Sequence, residues 1–360
     1  MATQLWEDEI FGKVRKQDWL DVGAQPPTRP NDPIDAIFGD EKTDNIVARW
    51  ESLAAEFGLP VMAQFHGFDT EALTTFRAPI DNHNIEKGLI KVKINQSERL
   101  RALKRSGVEG DQQFYDHVLN DGIRLADQVI TRTKVAKNEL MATGKVTIKE
   151  NNLDLTVDYG VPVARTQYTL DFSADATSDI PSQVQAIIDA ARDAGVTING
   201  MMTSNKMLTK FRKDANIQKA INGNIGAGAL VRRTALEAYF ADEFGINTVI
   251  TNDLKYVSEW SIDKTTGRPT TTSKRYFPDD KVTFFATNPG GRLGTGLWGD
   301  APETDMNGFY PNGNSQVSPY VTISQKMEWD PAVLWTKASA LFIPVLYNPD
   351  SLFIATEDAT

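Results

Sequence analysis

Residues 290–299 read GGRLGTGLWG, and within them Gly294, Gly296 and Gly299 are spaced as G-x-G-x-x-G. Between a strand and a helix, that spacing lets the main chain close on a pyrophosphate while the helix N-terminus stabilises its charge. The strand is present as KVTFFAT, Lys281–Thr287. The helix is not: DAPETDMNGFYPNGN follows, with two prolines and no helical period. The Gly-Lys-Ser/Thr of a P-loop does not occur. A nucleotide-binding enzyme built on Gly294–Gly299 is therefore the weaker alternative. The glycines instead predict a strand and loop where backbones approach closely and Leu297 and Trp298 pack between elements.

A second chemical pattern overlaps the first. Glu303, Asp305 and Asn307 in ETDMNG are spaced like the start of a calcium loop. Its twelfth position is Asn314 rather than a bidentate glutamate, and no helices flank it, so a turn rich in Asp, Asn and Gly is expected. His66, His83 and His117 share no metal-ligand spacing, and His117 beside Asp116 reads as a helix-surface residue. With no cysteine there is neither a thiolate nucleophile nor a disulfide framework, which fits a reducing cytosol. No G-x-S-x-G marks a serine nucleophile. The reading assigns no catalytic, cofactor-binding or metal-binding residue and expects a protein that is not an enzyme.

The net charge of −10 opposes a role in gripping phosphate backbones, which needs clustered bases. The one basic cluster, Arg99, Arg101, Lys104 and Arg105, reads as a solvated face. Such a balance suits a protein that sits near DNA without holding it tightly. No apolar run is long enough for a membrane helix, and the N-terminus lacks the basic start and apolar stretch of a signal peptide.

At 360 residues the chain can form two domains, or one with extensions. Pro26, Pro27, Pro30 and Pro33 favour extended backbone, and Trp6, Phe11 and Trp19 suit an arm anchored on a surface by aromatic side chains. From about Thr43 the spacing of Ile46, Val47, Trp50, Leu53, Ala54 and Phe57 predicts a short helix ended by Gly58. Two strand-like runs follow, PVMAQF (60–65) and GLIKVKIN (88–95), with little apolar surface of their own.

The strongest helical signal runs from about 109 to 143, where Phe114, Val118, Leu125, Val129, Ala136 and Leu140 share one stripe and Gly144 stops it. About thirty residues make roughly 45 Å of helix, longer than a globular domain usually needs. A hairpin around Asn151–Asn152 comes next. Beyond Gly160 the elements shorten: helices at 179–195, 204–221 and 234–245, strands at 246–252, 251–260 and 281–287, then a tail of apolar strands. The arm, the thin hairpin and the overlong helix all want a partner, as in rings and shells with heterologous contacts.

That order of features resembles the major capsid proteins of tailed bacteriophages, the lambda-like major head protein (capsid protein E) family. The residues that carry it are GLIKVKINQSERLRALKR, MATGKVTIKENNLDLTVDYG, GRLGTGLWGD and the closing IPVLYNPDSLFIAT. The resemblance implies an α+β fold shared with encapsulins. Residues 1–58 would be an N-terminal arm with its short helix, 59–103 an extended loop over a neighbouring subunit, and 104–159 a peripheral domain with its spine helix. Residues 160–310 would be a mixed α/β axial domain, and 311–360 return strands completing the sheets. It also implies hexamers and pentamers closing into an icosahedral shell around double-stranded DNA, in a virion assembled in the host cytoplasm. Scaffolding, portal and decoration proteins would be partners, and no membrane. An encapsulin-like compartment is the alternative within the fold. No coiled coil precedes the arm, so a separate scaffolding protein is expected. Lys87 and Lys91, in the extended loop, read as solubilising residues rather than cross-linking ones.

Overall fold

The computed structural model describes residues 32–53, 80–96, 110–150, 153–173, 179–223, 229–262, 269–305, 313–318, 320–328, 330 and 333–358. The arm before residue 32, the run 60–65, His66, the basic cluster at 99–105 and the Asn151–Asn152 turn lie outside those residues.

A 3-10 turn, Pro33–Ala36, leads into β1 (Phe38–Lys42). Next come β2 (Val47–Leu53), β3 (Ile80–Glu86) and β4 (Gly88–Gln96). The helix expected from Thr43 is not formed: β2 pairs antiparallel with β3, from Val47 opposite Glu86 to Leu53 opposite Ile80. Ile46, Val47 and Trp50 suit a strand as well as a helix, and a partner arriving from later in the chain decides between them. GLIKVKIN is a strand as expected, paired with β16 (Val333–Leu346).

Helix α1 spans Gly110–Thr143, close to its expected bounds. Leu125, Val129, Ala136 and Leu140 of the stripe are buried. Gly144, at φ 70°, ends the helix, its N–H donating to Leu140 O at 2.8 Å. The hairpin follows as β5 (Lys145–Glu150) and β6 (Leu153–Asp158), paired in register. Beyond it lie β7 (Tyr168–Leu170), α2 (Ile180–Asp193), β8 (Gly200–Thr203), α3 (Asn205–Lys213), α4 (Ala215–Asn222), α5 (Arg233–Phe244) and β9 (Thr248–Thr251). The single helix expected over 204–221 is split at Asp214, whose ψ of 130° is extended and whose carboxylate caps Asn216 N and Ile217 N. Then come β10 (Lys255–Ile262), β11 (Pro269–Arg275), β12 (Lys281–Phe285), β13 (Gly294–Gly299), β14 (Gly313–Ser318), β15 (Val321–Glu328), β16 and β17 (Leu352–Glu357).

One sheet runs β1-β13-β16-β15-β14, with β4 also on β16. A second runs β7-β17-β12-β8-β9. Alternation along the second sheet divides its side chains between two cores. Met202, Ile250, Phe285 and Leu352 join the core around α1 and the first sheet. Met201, Val282, Phe284 and Phe353 join a core with α2, α3, α4 and α5. The two cores therefore share one wall. The C-terminal carbonyls of α1 also dock on it: Thr283 Oγ1 donates to Met141 O and Lys281 Nζ to Ala142 O, each at 2.8 Å.

Candidate functional site

The glycine-rich stretch is loop and strand, as expected: residues 290–293 form a turn, and β13 follows with all six of its residues buried. It pairs parallel with β1 on one side and antiparallel with β16 on the other. Both edges are used by neighbouring strands, so it offers no open cradle to a phosphate. The glycines have a different cause, which is close approach. A Cβ on Gly294 would overlap the Val345 carbonyl oxygen and the Phe38 ring. One on Gly296 would lie 2.5 Å from Asp40 Oδ1 and 2.8 Å from Phe342 Cε2; one on Gly299 would lie 3.0 Å from Lys87 Nζ. Between them, Trp298 stacks on Tyr320 at 5.1 Å, meets Phe342 edge-on at 4.8 Å and donates Nε1–H to Asp40 Oδ1 at 2.8 Å.

Lys87 corrects its expected role as a solubilising residue. Its side chain is only 3% exposed. The ammonium donates to Thr43 O at 2.8 Å, Thr43 Oγ1 at 2.6 Å and Trp298 O at 2.9 Å. Burial lowers its pKa from the usual lysine value, against the pull of Asp300 and Asp44. From Thr43 the chain enters β2, whose Ala48 still lies in the core around α1, returns along β3 and closes where Lys87 N donates to Ile46 O at 3.0 Å. Lys87 thus pins the root of the β2–β3 ribbon to β13. Lys91, two pleats further on, is exposed.

On the other side of β13 the segment before β1 meets α1. Lys137, also buried, reaches Asp40 Oδ1 at 3.0 Å and Asp35 Oδ1 at 3.3 Å, and Lys134 reaches Asp35 Oδ2 at 3.2 Å. Beside them, buried Asp32 accepts from Ile34 N (3.1 Å), Asn138 Nδ2 (3.1 Å) and Asn252 Nδ2 (2.9 Å). Asn252 also donates to Asn138 Oδ1 at 3.0 Å. Burial pushes the Asp32 carboxyl above the usual range, although these donors oppose it. The arrangement fixes three distant segments together: the run into β1, the spine of α1 and the residue after β9.

The remaining motif residues disperse. Glu303, in a 3-10 turn at Pro302–Asp305, is engaged by Lys337 Nζ and by Ser339 Oγ, the latter at 2.7 Å. His83 falls on β3 and His117 on α1, while Asn307 lies outside the described residues. Among the described residues, no group of three or more His, Asp or Glu is placed to hold a metal ion. Lys87, Asp32, Asn138 and Asn252 carry no local sequence signal, since each acts through a partner far away in the chain.

Comparison with known proteins follows the same lines. The chain resembles the solved structure of a phage-related protein from Bordetella bronchiseptica RB50, at 10% identity over 94% of this chain and 95% of that one, with a TM-score of 0.51. It also resembles the putative capsid protein of a prophage of E. coli CFT073, at 12% identity over 99% of both chains and a TM-score of 0.50. At that identity the likeness is one of fold, the tailed-phage major capsid fold. No curated protein sequence matches. A family model for phage major capsid protein E matches residues 89–357, from β4 through β17, and on that match the chain belongs to the phage major capsid protein E family.

Proposed function

We propose that this protein is the shell-forming subunit of a phage head, assembling as hexamers and pentamers into an icosahedral shell around double-stranded DNA. The family match over 89–357 carries the reading. The fold supports it: β2 and β3 pair only with each other among the described residues, and an isolated two-stranded ribbon is marginally stable in water. A surface of a second copy completes it, and a ribbon held by its root is suited to reach one.

In this reading the run before β1 is the arm, the β2–β3 ribbon the extended loop, α1 with the first sheet the peripheral domain and α2–α5 with the second sheet the axial domain. β2 (within 1–58), β4 (within 59–103) and β13 (within 160–310) thus belong with neighbouring parts rather than with those their expected bounds assign. The subunit is structural and performs no catalysis. A scaffolding protein, a portal and a decoration protein are its partners, and assembly takes place in the host cytoplasm before the head becomes part of the virion. Negative-stain electron microscopy and sedimentation of the expressed protein test this. Rings or closed shells are expected. A species that stays at the 39.9 kDa monomer mass, even with its scaffolding partner, overturns it.

A further inference from the structure

The face of the first sheet turned away from α1 is unusually basic for an acidic chain. Along β4, Ile90, Val92 and Ile94 pack toward the α1 core, which leaves Lys91 and Lys93 exposed on the other face. In register, Lys93 stands directly opposite Lys337 of β16, and Lys91 opposite Ser339. Lys326 of β15 stands opposite Trp335 on the same face. Like charges directly across an antiparallel pair repel. Two contacts offset this: Glu303 neutralises Lys337, and the Lys93 ammonium lies 4.3 Å from the centroid of the Trp335 ring. Among the described residues, neither Lys91 nor Lys93 has a carboxylate partner.

Lys93, Lys326 and Lys337 line a cleft of about 390 Å³ with Glu303, Glu328 and Trp335, where Lys326 lies 3.8 Å from Glu328 Oε1. Glu328 is itself fixed, accepting from Trp335 Nε1 at 2.9 Å. The mixture of charges selects between occupants. Two glutamates set among the lysines repel a continuous phosphate backbone, whereas a protein surface of interspersed charge, dominated by acids, matches the pattern. Every copy of this chain carries carboxylates in excess of its lysines and arginines, 48 against 38, and so has acids to supply.

We propose that the Lys91–Lys93–Trp335 face is a docking surface for a second copy of this chain, which supplies the carboxylates that these lysines lack. The proposal rests on the shell-forming reading and names a surface within it. Lysine acetylation followed by mass spectrometry, on dissociated subunits, empty shells and DNA-filled heads, tests it. Acetylation of Lys91, Lys93 and Lys326 is expected to slow several-fold on passing from subunits to empty shells, with no further change on filling. Equal reactivity in subunits and empty shells overturns it. So does protection that arises only in filled heads, which would make DNA the occupant. Failure of the wild-type chain to form any shell is a different result: it removes the shell-forming reading, and this proposal with it.

A charge-reversal variant gives a second readout. Lys93→Glu removes the repulsion from Lys337 across the strand pair, so the fold is expected to survive, as circular dichroism would report. Shell yield is expected to fall several-fold. Shells at wild-type yield from folded Lys93→Glu subunits overturn the proposal.

Discussion

The Lys87 ammonium lies 2.9 Å from the main-chain oxygen of Trp298, a residue 211 positions further along the chain. Together with the two Thr43 acceptors, this contact fixes the root of the β2–β3 ribbon. A buried ammonium is usually paired with a carboxylate. Here its donors go to two carbonyls and a hydroxyl, so the cation acts as a cross-brace between β13, the chain at Thr43 and the return at Lys87. On the proposed shell-forming reading, that brace gives the ribbon a defined direction in which to meet a neighbour.

Lys87→Met keeps the apolar stem and removes the donors. The Trp298 and Thr43 oxygens then remain buried with fewer partners, and relief of the desolvated charge offsets part of the loss. A decrease in unfolding free energy of about 1–3 kcal/mol is expected by urea titration. Hydrogen exchange should accelerate first at the Lys87 amide, which closes the ribbon on Ile46. Uniform acceleration along β13 and β16 instead would show that the lysine supports the whole sheet rather than the root.

The glycines of β13 predict a graded series. Gly296→Ala places a methyl 2.5 Å from Asp40 Oδ1 and 2.8 Å from Phe342 Cε2, where side chains can shift a little. Overpacking of that kind is expected to destabilise by roughly 1–3 kcal/mol. Gly294→Ala meets the main-chain oxygen of Val345, which cannot move without breaking register, so its loss should be the larger. Gly290→Ala, outside the strand and exposed, meets only the Asn288 side chain at 3.3 Å and should be close to neutral. Thermal unfolding of the three variants checks the order. If Gly290→Ala proves as damaging as Gly296→Ala, close packing is not why β13 is rich in glycine.

Much of the frame is legible in the sequence because it is written locally. The stripe from Leu125 to Leu140 and the stop at Gly144 mark α1, and the alternation of Ile90, Val92 and Ile94 marks β4. Where a run suits two structures, as Val47–Leu53 does, a strand from elsewhere settles the outcome. The junction is the least legible part. Asp32 meets Asn138 and Asn252 over separations of 106 and 220 residues, and no local pattern distinguishes those asparagines from surface ones. GTGLWG carries a phosphate-binding spacing that the missing helix after Gly299 rules against, so close backbone approach is legible there while the neighbours approached are not. Its meaning depends on Asp40, Phe342 and Lys87, which only the fold brings alongside.

The Asp32 cluster predicts a pH-dependent defect. Asn138→Ala deprives the Asp32 carboxylate of one donor and leaves Asn252 without its Asn138 acceptor. The Asp32 pKa is already raised by burial, and losing a donor to the ionised form raises it further. An acid whose folded pKa lies above its unfolded value of about 4 destabilises the fold as pH rises through the folded value. The variant is therefore expected to lose about 1–3 kcal/mol at neutral pH, and less as pH falls and Asp32 becomes protonated. A deficit that is constant from pH 4 to pH 7 would remove Asp32 ionisation as its cause.

Glu303 predicts the opposite dependence. Burial favours its neutral form, yet the bonds from Lys337 and Ser339 outweigh burial and hold its pKa below the usual glutamate range. A depressed carboxyl contributes stability that is fully present above its unfolded value, about 4.3, and is lost as pH falls through the folded value. Glu303→Gln keeps the shape and removes the charge, leaving Lys337 directly opposite Lys93 with no anion between them. The expected result is a loss of roughly 1–2 kcal/mol above pH 5 and a shallower acid limb of the stability curve. Lys337→Met should shift the acid limb in the same direction, because Glu303 then loses its cation. In the double variant the losses should be less than additive, since each single change removes the same ion pair. Fully additive losses would mean that Glu303 and Lys337 stabilise the turn over the sheet through separate contacts.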